Sequence, residues 1–293
     1  MTDLKFFLGC NPMGQVGQPD GHDLTAISAG NNPNLAKLGP GTVLLQDSML
    51  IVGLTGGIAT GKSTVSNLLQ QKHHLPIIDA DILARKAVEP GTHAFKQILS
   101  TFGDDLALRD EQGTITGFDR AELGKRVFSG NEIARRKLNS IVHPAVRWLM
   151  VRAVLWHWIV KGQSVVVLDI PLLFESGLDR FCGLSIVVAT EPEMQLQRLL
   201  ERDSARLSRE DALGRIASQW NINDKKKLAD VVIENDSTKE ELEKRVALVV
   251  KHHLTRSRFW TWILRLPPVG LVFAFMIFVQ RSLRRRSRRS KSD

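Results

Sequence analysis

An α/β fold, with a five-stranded parallel sheet covered by helices on both faces, is what this sequence predicts. Three observations carry that expectation. Short, uninterrupted apolar runs suit strands buried on both sides. Helical patterns separate those runs. A glycine-rich segment joins the first run to the first helical pattern. Strands that alternate with helices imply a parallel sheet with helical crossovers. All of these features fall within residues 49–255.

The expected strands are residues 50–54, 76–78, 165–168, 184–188 and 231–233, each short and rich in Val, Ile or Leu. Helical patterns cover residues 63–71 and 145–160, the latter stopped by Gly162. Residues 192–202 open with Pro192 in a first turn, where its missing N–H costs little. Ser208-Arg209-Glu210-Asp211 has the form of a capping box and opens a further helix.

The flanks differ from this body. Residues 1–48 are crowded with Gly, Pro and Asn between Gly9 and Gly41, and no period organises their few apolar residues. Such a composition cannot offset its ordering entropy, so a disordered extension is expected, or a start read too early with Met49 as the true one. Residues 256–280 are hydrophobic, apolar from 259 to 279 except for Thr261, Arg265 and Pro267-Pro268. At ~1.5 Å per residue the apolar part is about 32 Å long, nominally a bilayer span. The proline pair and the basic flanks favour a hairpin on a cytoplasmic face, in the endoplasmic reticulum or a lipid droplet, over a span; a mitochondrial outer-membrane anchor stands beside it.

Residues 281–293 hold six Arg, one Lys and one Asp, which is +6 of the net +9. The body is therefore nearly neutral, which argues against a nucleic-acid binder. Cys10 and Cys182 are the only cysteines, too few for a disulfide framework. Cys182 reads as a small apolar core residue.

Chemistry enters with Gly56-Gly57-Ile58-Ala59-Thr60-Gly61-Lys62-Ser63, followed by Thr64 in the same turn. It follows a strand and opens a helix, the context a phosphate-binding loop requires. Glycines let successive N–H groups turn inward at phosphate oxygens, and the helix adds its positive end. Lys62 is placed for the β- and γ-phosphates and Ser63 for Mg²⁺. The expectation is an ATP-dependent phosphotransferase of the P-loop kinase type.

Transfer to an alcohol needs a carboxylate near the γ-phosphate. Asp79-Ala80-Asp81 ends the second strand, where open parallel sheets bind ligands. The two acids share a side only if the strand runs through both; otherwise Asp81 caps the next helix. Asp169 ends the third strand and reads either as an Mg²⁺ partner or as a turn residue before Pro171. Glu175 lies just beyond, with the same cleft in reach. Arg198 and Arg202 are four apart and share a helix face, with Arg206 across a short linker. A mobile lid over residues 198–220 would deliver such arginines to the transferring phosphoryl group, Arg202 first and Arg206 second.

Taken together these segments resemble the dephospho-coenzyme A kinases. The matching residues are Leu54-Thr55-Gly56-Gly57-Ile58, Gly61-Lys62-Ser63, Ile78-Asp79-Ala80-Asp81 and Val88-Glu89-Pro90-Gly91. They continue through His143-Pro144, Asp169-Ile170-Pro171-Leu172-Leu173-Phe174-Glu175, Arg202-Asp203, Arg215-Ile216-Ala217-Ser218-Gln219 and 227–235. The resemblance spans residues 49 to about 254. It implies a nucleotide-binding core, a helical substrate region and a lid, with ATP and Mg²⁺ as partners of the reaction. The acceptor it implies is the ribose 3′-hydroxyl of dephospho-CoA. It makes Asp81 the base, with Lys62, Ser63 and Arg202 stabilising charge, and leaves His143 as a substrate contact or a helix cap. The sequence departs from the family at Ala59-Thr60, where Gly-Ser is common; an N–H remains available if φ at Ala59 is negative. Residues 204–206 look like a short insertion in the lid.

Overall fold

The computed structural model describes residues 49–128, 132–203 and 207–255. The N-terminal extension, Arg206, the hydrophobic segment 256–280 and the basic tail lie outside them. Among the described residues no helix is long and apolar enough to cross a membrane.

The five expected strands form one parallel sheet. They are β1 (Leu50–Gly56), β2 (Ile77–Asp79), β5 (Val165–Asp169), β6 (Leu184–Ala189) and β7 (Val231–Glu234), in the order β2-β5-β1-β6-β7. A short antiparallel hairpin, β3 (Ala107–Arg109) and β4 (Ile115–Phe118), stands apart from it. Its turn is set by Asp110, whose carboxylate accepts from the N–H groups of Gln112 and Thr114, and by Gly113 at φ 80°. The hairpin was not expected, because its strands are short, bury only Phe118 fully and carry no clean alternation.

Strand residues alternate between the two faces of the sheet. Leu50, Val52 and Leu54 of β1, with Val165 and Val167 of β5, join the apolar cluster that includes α1 (Lys62–Gln71) and α9 (Lys239–Val249). Val166, Leu168 and Ile78 face the opposite cluster. There the sheet meets α2 (Ala80–Ala87), α3 (His93–Phe102), α4 (Arg120–Phe128) and α5 (Glu132–Leu155). Both faces are covered, which is why the strands read as continuous apolar runs. Gly53 sits where Leu173 and the fully buried Cys182 approach so closely that a Cβ would lie 2.7 Å and 2.9 Å from them.

Helix α5 starts well before the residue at which the sequence places it. Pro144 lies inside the helix, an interior position that costs about 3 kcal/mol or more. Tertiary packing outweighs it: Ala134, Leu138, Val142, Val146, Met150 and Val154 repeat every four residues and are all buried. The helix ends in a wider π-helical turn, Trp156–Val160, and the chain then reverses through Gly162 at φ 67°. After β6 the chain forms α6 (Pro192–Arg202), α7 (Arg209–Ala217) and α8 (Ile222–Leu228). Ser208 caps α7 by accepting from Asp211 N.

Burial pushes the pKa of His157 down, with the Lys161 charge adding to it, and burial does the same at His253 ahead of His252. Unfolding therefore takes up protons as pH falls through the ordinary histidine value of 6.5. The stability these groups contribute is present above that value and lost below it. The urea midpoint is expected to fall between pH 7.5 and pH 5.5, and His157→Gln should flatten that dependence; an unchanged slope in the variant would contradict it.

Candidate active site

The strand order reverses beside β1, so the carboxyl ends of β5, β1 and β6 border a crevice at the topological switch point. The phosphate loop lies at that edge. Gly61 caps α1 in the left-handed region at φ 88°, and Lys62 and Ser63 start the helix, so the loop's N–H groups and the helix's positive end converge. Ser63 is exposed at that end. Ala59 also has a positive φ, 59°, contrary to the condition stated for it above. An alanine there costs about 1–2 kcal/mol that a glycine does not.

Three polar side chains brace this loop. The Asn235 amide, at the end of β7, donates to the Thr60 carbonyl at 3.0 Å. It occupies the place a side chain at 61 would need, since a Cβ on Gly61 would lie 2.2 Å from Asn235 Nδ2. Gln195 of α6 donates to the Ile58 carbonyl at 2.8 Å, and Gln219 Oε1 accepts from the Ile58 N–H at 3.1 Å. Ile58 and Ala59 pack against Leu196, Leu199 and Ala212, so α6 and α7 rest directly on the loop.

Lys62 and Asp169 form an ion pair across the crevice, and Asp169 is almost wholly buried. Asp169 is in register with Leu54 of β1 on one side and with Asp79 of β2 on the other. The loop lysine, the β5 acid and the Asp79-Ala80-Asp81 segment therefore meet at one edge.

The structure also alters several expected roles. Strand β2 ends at Asp79, and Asp79 rather than Asp81 caps α2, accepting from Asp81 N at 2.7 Å and Ile82 N at 3.1 Å. Asp81 stands half-buried in the first turn, so its side chain is not the cap. Glu175 does not open toward the cleft. It pairs at 2.7 Å with Lys225, and both side chains are buried. Lys225 also reaches the Pro171 carbonyl at 3.5 Å, which Thr55 Oγ1 approaches at 2.8 Å. His143 lies well inside α5 and is not a cap, because the helix continues on both sides of Pro144.

Arg202 donates to both carboxylate oxygens of Asp203, and one of them, Oδ2, also accepts from Arg215 at 3.2 Å. Arg198 turns the other way and donates to the Asn235 carbonyl at 2.9 Å. Gln195, Gln219, Lys225 and Asn235 were not singled out from sequence. Gln219 and Asn235 stand inside matched segments, but nothing in a lone amide's type or spacing marks it as a brace. A hollow lined by Pro90, Phe95, Leu99 and Ile115 lies elsewhere, and no phosphate-loop residue borders it.

With this geometry in place, the comparisons are specific. Residues 50–241 match the family model described as dephospho-CoA kinase. The chain is 42% identical to dephospho-CoA kinase CAB5 of Saccharomyces cerevisiae over 84% of its length and 99% of the relative's. It is 46% identical to a dephospho-CoA kinase of Listeria monocytogenes, over 68% of this chain and 95% of that one. Among solved structures, TT1252 from Thermus thermophilus aligns with a TM-score of 0.58 at 30% identity, over 71% of this chain and 99% of that one.

A buried ion pair loses most when one partner is removed, because a charge is left behind. Lys225→Met is expected to cost about 3–5 kcal/mol in urea unfolding, and adding Glu175→Leu should recover most of it. Failure of the second change to restore stability would return Glu175 to the list of substrate contacts.

Proposed function

The chain belongs to the dephospho-CoA kinase family, and we propose that Asp81 is the general base of its reaction. The protein is an ATP-dependent kinase that phosphorylates a hydroxyl of dephospho-CoA, yielding CoA and ADP. The finer reading takes the ribose 3′-hydroxyl as acceptor.

The observation that carries the assignment of roles is the meeting of Lys62, Asp169 and the Asp79-Ala80-Asp81 segment at one edge of the sheet. Asp79 and not Asp81 is the cap of α2, and Asp81, in the first turn beside it, is assigned to orient the acceptor hydroxyl and take its proton. Backbone N–H groups of residues 57–64 hold the phosphates, and Lys62 exchanges Asp169 for their oxygens. Arg202 and Arg206 are the lid's candidates for charge developing on the transferred group; Arg202 must leave Asp203 to serve. Glu175 keeps no role in this scheme because Lys225 engages it, while His143, half-buried within α5 and not a cap, stays as the candidate substrate contact.

A hydroxyl and one carboxylate, Ser63 and Asp169, are hard oxygen donors that fit Mg²⁺. No group of three or more His, Cys, Asp or Glu residues suited to a metal occurs among the described residues, and Mg²⁺ in kinases takes few protein ligands beside phosphate oxygens. Bound there, it would neutralise charge on the phosphates.

Attachment to the cytoplasmic face of an intracellular membrane, through residues 259–279 and the basic tail, belongs to the same reading. Its support is an apolar segment between two basic flanks.

Asp81→Asn should lower ADP release by the full chain, with ATP and dephospho-CoA, by at least ~10²-fold while nucleotide binding persists. A loss below tenfold would remove Asp81 from the role of base. After cell breakage the full-length protein is expected in the membrane pellet and released by detergent; recovery wholly in the soluble fraction would sink the attachment.

A further inference from the structure

The solvent side of an amphipathic helix is ordinarily polar. In the carboxyl half of α5 and the turn after it, the outward positions are 147, 148, 151, 152, 155, 156, 159 and 160, one continuous face at helical spacing. Six of those eight are apolar: Trp148, Val151, Leu155, Trp156, Ile159 and Val160, all at least 40% exposed. The other two are Arg147 and Arg152, and Lys161 follows. Between Ala145 and Gln163 the chain has no acidic residue, and none of these three cations takes part in an ion pair among the described residues. An apolar face of this length, with two tryptophans and only positive charge, has no use in water.

We propose that this face docks on an anionic lipid surface, with its aromatic and aliphatic side chains at the head-group boundary and Arg147, Arg152 and Lys161 on the lipid charge. The charge pattern selects the occupant. A second copy would set the same three cations against themselves. The chain's own residues 256–279 bring Arg256, Arg258 and Arg265 and no acid. A bilayer supplies both apolar depth and negative charge.

The position of the face agrees. Gln163 N bonds to the His157 carbonyl, and Leu50 N bonds to the Ser164 carbonyl, which ties the end of the face to the amino edge of the sheet. After β7 the helix α9 returns antiparallel to the strands and leads to the buried Leu254. The described chain thus ends toward the same edge, just ahead of the apolar residues 259–279. The phosphate loop and α7 lie at the opposite edge. The inference rests on the membrane reading above and adds a second, folded contact to it.

The test uses the full chain with a Cys10→Ser background, in which Cys182 is buried, and an environment-sensitive dye on Trp156→Cys or, as a control, on Leu213→Cys of α7. Turnover of dephospho-CoA checks that the Trp156→Cys protein is folded. Vesicles of phosphatidylcholine with phosphatidylserine should blue-shift the dye at 156 and leave that at 213 unmoved. Independently, Arg147→Glu/Arg152→Glu/Lys161→Glu should raise the lipid needed for half-binding at low salt by at least tenfold, since each cation near such a surface contributes about fivefold. If the protein floats with vesicles while the dye at 156 stays silent and the triple variant binds normally, the face is overturned but attachment through 259–279 stands. If the protein does not float, both fall. A shift without vesicles that grows with protein concentration would assign the face to a second copy instead, and one that is independent of concentration to the chain's own apolar segment.

Discussion

The phosphate loop keeps its shape because an amide from the last strand stands where a side chain at position 61 would be. Asn235 donates to the Thr60 carbonyl across the missing Cβ of Gly61. Leaving that carbonyl unpaired in a buried setting would cost about 1–3 kcal/mol. The bond does more than stabilise, because it fixes the direction in which the loop's N–H groups point. It requires β7 to lie beside β6, which in turn requires β6 beside β1; Asn235 N reaches Ala189 O, and Thr190 and Arg198 both bond the Asn235 carbonyl. The anion site is thus a property of the whole parallel sheet rather than of eight consecutive residues.

The lid is tied to the same loop. Gln195 and Gln219 hold the carbonyl and the N–H of Ile58, and the apolar residues between them pack on Ile58 and Ala59. Any movement of α7 that carries Gln219 away frees one loop N–H, so the state of the lid and the number of donors facing a phosphate are linked. Asp203, shared by Arg202 and Arg215, sits at the end of α6, where such a movement would pivot. Arginine delivery and loop opening are then two readings of one displacement.

How much of this was legible follows from what each feature depends on. The five strands were readable because burial on both faces forces continuous apolar runs, and the loop because its motif, strand and helix are contiguous. The start of α5 was hidden by Pro144, whose local penalty is overridden by a buried stripe that only the packed sheet supplies. Asp79 and Asp81 could not be told apart by alternation, since the strand ends at the first of them. Glu175 follows Asp169 in the same motif yet is buried against Lys225, which lies far along the chain on α8. The sign of φ at Ala59 is set by the curl of the loop and not by the residue, so no rule about alanine would have found it.

A parallel sheet has two unlike edges, and this molecule uses them differently. Every strand delivers its carboxyl end to the side where Lys62, Asp169 and Asp81 stand, and every crossover helix must return to the other side before the next strand begins. The return edge carries no chemistry, so its surface is free to vary without disturbing the crevice. Here the outward face of α5, exposed among the described residues, is apolar and basic. A contact made there, as inferred above, would leave the nucleotide crevice and the lid facing water, so that a soluble substrate reaches the site while the enzyme is held at a surface. The same apolar residues at the carboxyl edge would compete with substrate for the cleft; at the amino edge they need only avoid unfolding the helix that carries them.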